Sequence, residues 1–241
     1  SLTPIQRLNL VRQLRLTSKA SPTRRVMIPK PGKAEKRPLG IPTMKDRATQ
    51  ALVKLALEPE WEAVFEPNSY GFRPGRSAHD AIQAIFLGIS QKAKWVLDAD
   101  ISQCFDRINH NYLLNKLNTF PSLRRQIKAW LKSGVMENGV FTDTKMGTPQ
   151  GGAISPLLAN IALHGFETFI NGLSTNQQRR PLTVIRYADD FVILHNTEEE
   201  VEHVKAKAEE WLKQAGLELK PSKTRIRHTS EGFDFLGFNA R

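Results

Sequence analysis

The stretch VIRYADDFVIL, residues 184–194, sets two carboxylates, Asp189 and Asp190, side by side in a run that is otherwise almost wholly apolar. Val, Ile, Tyr and Phe at this density read as a buried strand, where an unpaired charge costs on the order of several kcal/mol. Adjacent residues of a regular strand point to opposite faces, so both acids serve one site only where the chain turns tightly between them. A hairpin with Ala-Asp-Asp at its tip is therefore expected. Its acids need something to hold them ionised.

A second acidic strand candidate is KWVLDADI, residues 94–101. Its period of two puts Asp98 and Asp100 on one face, with Leu97, Ala99 and Ile101 on the other. Asp100, Asp189 and Asp190 then form a set of three acids from distant parts of the chain. Clustered carboxylates repel one another, and two Mg²⁺ ions about 3.5–4 Å apart are the usual means of stabilising such a cluster for in-line phosphoryl transfer. Pairing with Arg186, or the capping of a turn, accounts for any one of these acids and poorly for all three.

Charge points the same way. Lys and Arg number 35 against 24 Asp and Glu, a formal net charge of +11, so a polyanion is the expected partner. No apolar run approaches a membrane span, and the N-terminal SLTPIQRLNLVRQLRL carries Arg through its apolar positions, unlike a signal peptide. The single cysteine, Cys104, excludes an internal disulfide and reads as a small buried filler. The six histidines are scattered without HExxH or a His/Cys quartet, so any metal is expected to be a hard cation on carboxylates.

The 241 residues, 40% of them hydrophobic, suit one large or two small domains of mixed α and β structure. Residues 24–42 look like a hairpin studded with Arg24, Arg25, Lys30, Lys33, Lys36 and Arg37. A helix from Asp46 carries Ala48, Leu52 and Leu55 on one face until Pro59 kinks or ends it. A second begins at Ser77, with Asp80 completing a capping box and Ala78, Ala81, Ile82, Ile85, Phe86 and Ile89 at helical spacing. Gly147, Gly151 and Gly152 make a loop, after which Ser155 and Pro156 read as N-cap and first helical residue, with Leu157, Leu158, Ile161 and Ala162 buried. Thr197 and Glu200 suggest another capping box, for a helix ending near Gly216. Two extended segments, LELKPSKTRIRH and GFDFLGF, close the chain.

Seven blocks spread over about residues 24–239 resemble those of reverse transcriptases: RRVMIPKPGKAEKRPLGIPTMKDR, NSYGFRPGRSAHDAI, DADISQCFDRI, GTPQGGAISPLLANI, YADD, LKPSKTRI and FDFLGF. Their versions look like those of bacterial group II intron reverse transcriptases, or maturases. The resemblance implies an α+β, right-hand polymerase fold. Helical and β-hairpin fingers would span residues 1–93, and a palm with an antiparallel sheet backed by helices would span residues 94–241. No thumb segment follows, and the chain, beginning at Ser1, reads as the fingers-and-palm portion of a longer protein.

The same resemblance implies roles. Asp100 would bind two Mg²⁺ ions and Phe105, five residues on, would stack under the nucleotide sugar, leaving Asp98 a neighbour rather than a ligand. Ile101 would lend a backbone carbonyl to the nucleotide-side metal, Asp189 would be the principal ligand of the YADD pair, Asp190 the supporting one, and Tyr187 would lie along the primer terminus. Lys30 and Arg37 resemble the fingertip over the triphosphate, whereas Lys33 and Lys36 read as solvated. Gln150 and Gly151 would line the nucleotide, Arg73 and Arg76 the template backbone, and Gly237 the primer. Lys223 matches a lysine proposed to protonate the leaving pyrophosphate, and as a surface lysine near a turn it is equally readable as inert. A core role for Phe105 is the competing account of that ring.

The implied partners are group II intron RNA, an RNA template, a DNA primer and deoxynucleoside triphosphates, in the bacterial cytoplasm and without a membrane. Two other readings stay open. One is an RNA-binding splicing maturase with an idle polymerase site. The other is a retron, diversity-generating or CRISPR-associated reverse transcriptase, against which the RPLGIPTMKDR and GFRPGRS blocks favour the intron type.

Overall fold

The computed structural model of the chain describes residues 2–29, 32, 36–173 and 182–240. In order, its elements begin with α1 (Pro4–Arg12), β1 (Thr23–Pro29), β2 (Lys36–Ile41), α2 (Met44–Glu62), α3 (Ala78–Ile89) and β3 (Trp95–Asp100). Then come α4 (Cys104–Arg107), α5 (His110–Leu117), α6 (Pro121–Leu131), β4 (Val135–Glu137), β5 (Val140–Thr142), α7 (Ser155–Leu163) and α8 (Phe166–Gly172). The chain continues through β6 (Thr183–Tyr187), β7 (Asp190–His195), α9 (Glu198–Gln214), β8 (Arg225–His228), β9 (Phe233–Phe235) and β10 (Phe238–Ala240). None of these helices is long and apolar enough to cross a membrane.

Two compact units emerge, each built from two stretches of chain: Ser1–Trp61 with Phe105–Ala162, and Glu62–Cys104 with Leu163–Arg241. Residues 62–104 thus group with the C-terminal part of the chain. The reason lies in the pairing of β3 with β7 and in the packing of α3 on β6, which join residues 62–104 to the C-terminal part of the chain.

The first unit carries the expected basic hairpin, β1 against β2 in register from Arg24↔Ile41 to Pro29↔Lys36. A short parallel pairing of β1 with β4 and the β4–β5 hairpin complete its sheet, ordered β2-β1-β4-β5. Helix α2 is rotated relative to the stripe of Ala48, Leu52 and Leu55. Leu52 and Leu55 are exposed, and the buried residues are Asp46, Thr49, Gln50, Val53 and Leu57. Polar anchors set that rotation. The Asp46 carboxylate accepts from Thr43 Oγ1 at 2.7 Å, from the Ser21 amide at 3.2 Å and from Trp130 Nε1 on α6 at 3.1 Å. Gln50 Oε1 accepts from the Ala153 amide at 2.8 Å. Buried carboxylates and amides are costly without such partners, so they outrank two leucines in choosing the inward face. Pro59 does not end α2, which runs on to Glu62. Helix α7 starts at Ser155 itself, one residue earlier than its capping pattern suggests, and is buried on almost every side.

The second unit is organised by an antiparallel sheet ordered β6-β7-β3-β8. On one face, Val96, Ile185, Val192 and Leu194 pack with Ala81, Ile85 and Ile89 of α3 and with Phe233 and Phe235 of β9. On the other, Phe191 meets the ring of Phe166 on α8 at 5.0 Å, and Phe166 meets Trp211 of α9 at 5.3 Å. Apolar residues on both faces explain why β3 and β7 read as near-continuous hydrophobic runs. Cys104 is buried, as a filler would be. The C-terminal GFDFLGF is a hairpin rather than one extended segment, because Leu236 and Gly237 take φ of +52° and +82° between β9 and β10, the two consecutive positive values of a tight turn.

The two capping boxes expected from sequence fare differently. Ser77 accepts from the Asp80 amide at 3.3 Å while Asp80 Oδ2 accepts from the Ser77 amide at 2.6 Å, so the box at α3 is complete. Thr197 stands at the N-cap of α9 but makes no side-chain cap bond; its hydroxyl lies 3.2 Å from His195 Nδ1 instead. Glu198, Glu199 and Glu200 in the first turn favour that helix through the dipole. Ser77→Ala should lower unfolding free energy by about 1 kcal/mol, the usual worth of an N-cap, whereas Thr197→Ala should leave it nearly unchanged. Urea denaturation of the two variants checks the contrast.

Candidate active site

Pairing of β3 with β7 puts Asp98 opposite Val192 and Asp100 opposite Asp190. Directly opposed residues of an antiparallel pair share a face, with Cβ atoms about 4.5–5.5 Å apart. Tyr187 lies opposite Asp190 across the turn and joins the same row. The turn itself is Ala188–Asp189, entered through a positive φ of 59° at Ala188, so the tight hairpin expected from the adjacent acids is present. Asp189 is tied to the end of β3 through its carbonyl, which accepts from the Ile101 amide at 3.0 Å. The Asp100 carbonyl accepts from the Lys220 amide at 2.8 Å, bringing the segment before β8 alongside. Three acids from distant stretches thus arrive at one end of one sheet.

The turn is braced from behind. Arg186, 3% exposed, donates from Nη1 to the Ala188 carbonyl at 3.0 Å and from Nη2 to Ser69 Oγ at 2.7 Å. Backbone bonds from the Arg186 amide to Asn68 and from the Tyr70 amide to Arg186 complete the seam, and Asn68 is held by Glu167 through its amide and side chain. Burial pulls the Arg186 guanidinium down to about 10, still protonated at neutral pH. Gly71 follows. A Cβ there would lie 2.4 Å from the Ala188 amide nitrogen. The NSYG segment is therefore the seat of the acidic turn, a role its sequence did not announce. Arg186 thus braces the turn through its backbone.

Charge is concentrated in this corner. Burial, with Asp189 and Asp100 adding repulsion, pushes the Asp190 carboxyl up to about 6. Burial likewise raises Asp98, against the opposing pull of Arg227, Arg225 and Lys223. Lys223 donates its ammonium to Asp100 Oδ2, and that hydrogen bond is the first cause of its raised pKa. Asp98, opposite Arg225 in register, stands one row away from the Asp100–Asp190 pair. Among the described residues no three Asp, Glu, His or Cys converge as a ready-made metal cage. The chemistry of the donor set nonetheless suits a hard cation: oxygen ligands, and acids whose mutual repulsion is relieved by positive charge. An open cleft of about 380 Å³ adjoins them, lined also by Ser222, Arg225, Arg227 and Asp234.

Other candidate residues lie in the first unit. Gln150 donates from Nε2 to Asp106 at 2.9 Å and accepts from the Gly40 amide at 2.9 Å, so it bridges the glycine loop and β2. Gly151 adopts φ of +126°, which favours glycine. Gly147 passes so close to Asp106 that a Cβ would lie 2.5 Å from its carbonyl. Gly40, Asp106, Gly147 and Gln150 border a cleft of about 280 Å³ that also holds Arg25, whose buried Nε has no hydrogen-bond partner among the described residues. Asp106 escaped the sequence reading, since it stands at no telling spacing, and Arg25 was read only as one of the basic residues of the hairpin. Phe105 is half-buried in α4, and its carbonyl accepts from the Thr148 amide. Arg37 is exposed on β2 opposite Ile28. Lys30 and Lys33 lie outside the described residues.

Of the two arginines expected on template backbone, Arg73 lies enclosed among its own chain's groups. It is 8% exposed and its guanidinium is spent on the Glu62 carboxylate, at 2.8–3.1 Å, and on the carbonyls of Glu66 and Ser69. That pairing also holds Glu62 at the end of α2, past Pro59. Arg76 is half-buried, donating to the Pro67 carbonyl at 2.6 Å and lying 5.3 Å from the Tyr70 ring centre. Gly237 is exposed at the β9–β10 turn.

The sequence pattern of the family described as reverse transcriptase (RNA-dependent DNA polymerase) matches residues 28–240. Protein YkfC of Escherichia coli (strain K12) is 36% identical over 251 aligned residues, covering 90% of this chain and 66% of that protein. Group II intron-encoded protein LtrA of Lactococcus lactis subsp. cremoris is 32% identical, covering 91% of this chain and 47% of that protein. The chain thus spans just under two-thirds of the one and about half of the other. Among solved structures, apo telomerase from Candida tropicalis, truncated from its C-terminal domain, aligns over 94% of this chain and 54% of its own with a TM-score of 0.71. At 15% identity that likeness concerns the mixed α/β fold.

The close seat under the acidic turn generates a stability test. Gly71→Ala should destabilise the protein by about 1–3 kcal/mol, the usual range for overpacking against backbone that cannot yield. Gly172→Ala, where a Cβ meets nothing within 4 Å, should be neutral or slightly stabilising. Denaturant midpoints of the two variants decide it.

Proposed function

Because the chain belongs to the reverse transcriptase family, in its group II intron-encoded branch, we propose that the acidic end of the β3–β7 pair is the polymerase centre of an RNA-directed DNA polymerase. The observation that carries the reading is the register Asp100↔Asp190 with Asp189 in the intervening turn, which delivers three carboxylates to one sheet end beside a cleft. An RNA-binding maturase with an idle site has no use for this concentration of repelling charge. The unit with the acidic sheet is the palm of this proposal, and the unit with the basic hairpin contributes the fingers.

In this reading Asp100, Asp189 and Asp190 hold two Mg²⁺ ions, with Ile101 offering its carbonyl. Bound there, the ions supply Lewis acidity for deprotonating a primer 3′-hydroxyl and for neutralising the triphosphate. The chain's own residues do the rest. Lys223, protonated and bonded to Asp100, holds a proton at Nζ for the departing pyrophosphate. Lys30 and Arg37 grip the triphosphate, a point charge and a bidentate fork respectively. Gln150, fixed by Asp106, and Gly151 line the nucleotide. Tyr187, in the row of Asp190 and Asp100, lies at the primer terminus, while Arg76 and Gly237 touch template or primer. The net charge of +11 serves phosphate backbones generally, including the intron RNA, RNA template and DNA primer proposed as partners.

Asp100→Asn or Asp189→Asn should lower primer extension on an RNA template by roughly three orders of magnitude or more, with RNA binding retained. Asp98→Asn, one row away, should keep most of the activity. Near-normal extension by the first two variants would end the assignment. Sugar selection tests Phe105. If its ring packs against C2′ of the nucleotide, Phe105→Val raises ribonucleotide incorporation relative to deoxynucleotide in kcat/KM, whereas a core ring would lower the melting temperature and slow both substrates together.

A further inference from the structure

The cleft beside the acids has a wall that nucleotide addition, as described above, leaves unused. Along with Asp98, Asp100 and Asp190 it is lined by Lys223, Arg225 and Arg227. These cations recur at every second residue. Arg225 lies opposite Asp98 and Arg227 opposite Val96, so both project from β8 on the face that bears Asp100 and Asp190. Lys223 reaches the Asp100 row itself. Same-face neighbours on a strand are about 6.5–7 Å apart, so Arg225 and Arg227 stand that far apart on β8, while Lys223 belongs to the short 3-10 turn just before it.

Lys223 has its partner in Asp100. Among the described residues neither Arg225 nor Arg227 makes an ion pair. Asp98 is the carboxylate nearest them in register, opposite Arg225, one carboxylate against two guanidiniums. Asp234, which also lines the cleft, is engaged by Asn239 Nδ2 at 2.9 Å. Two guanidiniums on one face, with one half-buried carboxylate between them and the acids, suit a polyanion that each can grip through two N–H donors. Phe235 and Leu236 complete the lining of the cleft.

Resting on the polymerase reading, we infer that Arg225 and Arg227 form the exit site for the pyrophosphate released beside Asp100 and Lys223. In that reaction the primer 3′-oxygen bonds to the α-phosphorus, its proton passing to water. The bond from the α-phosphorus to the α–β bridging oxygen breaks, its electron pair leaves with the pyrophosphate, and Lys223 supplies the proton. The anion then steps along β8 from the ammonium to the two guanidiniums, clearing the acids for the next nucleotide.

Calorimetric titration of the purified protein with inorganic pyrophosphate in Mg²⁺ buffer, without nucleic acid, reads this site directly. Arg225→Ala and Arg227→Ala should each weaken binding roughly tenfold or more, the worth of one charge-assisted contact, and raise the inhibition constant of pyrophosphate in primer extension by a similar factor. Arg227→Lys should recover part of the affinity, and Lys213→Ala, exposed on α9, should change neither quantity. Should an alanine variant fail to fold, the glutamine variants at both positions carry the same titration. Unchanged pyrophosphate affinity in folded variants overturns the site. So does a loss of primer–template affinity with a shallower salt dependence at constant pyrophosphate affinity, which hands the arginines to a nucleic-acid strand. Wild-type protein that binds pyrophosphate but extends no primer sinks the polymerase reading while the anion site stands.

Discussion

The acidic end of the second unit depends on one strand pairing, β3 against β7, in the register that sets Asp100 opposite Asp190. Shift it by one residue and every side chain of β3 changes face. Leu97 and Ala99 would then leave the layer of Phe191 and Ile193, and Asp100 would enter it. The apolar residues on the two faces of the sheet therefore choose the register, and the position of the carboxylates follows. Chemistry at the strand ends is set by hydrophobic packing in the strand middles.

Repulsion among the acids works against that arrangement, and the structure answers it in two ways. Lys223 brings an ammonium to Asp100, and the turn that carries Asp189 is anchored through its backbone by Arg186, Ser69 and the close approach of Gly71. The second device holds the turn by its backbone. A guanidinium bonded to a carbonyl fixes where a turn goes, and burial, with repulsion from Asp189 and Asp100 added, leaves the carboxyl of Asp190 raised. Positive charge beyond Lys223 is placed along β8, a short distance away rather than on the acids. The corner is thus built to receive a cation and to lie near a polyanion.

Sequence periodicity proved a good guide to elements and a poorer one to their orientation. The hairpin at Ala188–Asp189, the basic hairpin of β1 and β2, and the Ser77 cap were all legible because each rests on contacts between residues close in the chain. Helix α2 was misjudged because the leucines at positions 52 and 55 promise an inward face, while Asp46 and Gln50 find partners far away, at Trp130 and Ala153. The enclosure of Arg73 by Glu62 and two carbonyls was not legible in the GFRPGRS block, since those partners are fixed only by the folded chain. Arg225 and Arg227 gave no signal at all, since their meaning comes from facing Asp98 across a ladder.

By itself the sequence determined the chemistry available to this protein: the acids embedded in apolar strands, the surplus of basic residues, and the blocks that mark its family. Those are properties of residue type and short spacing, which the chain carries whatever its fold. Tertiary structure alone decided which acids share a face, which arginines are enclosed and which are open, and that the NSYG segment seats the acidic turn. Each of those outcomes turns on long-range pairing in which desolvation penalties and backbone hydrogen bonds are settled together, between residues such as Gly71 and Ala188, or Lys223 and Asp100, that stand more than a hundred positions apart.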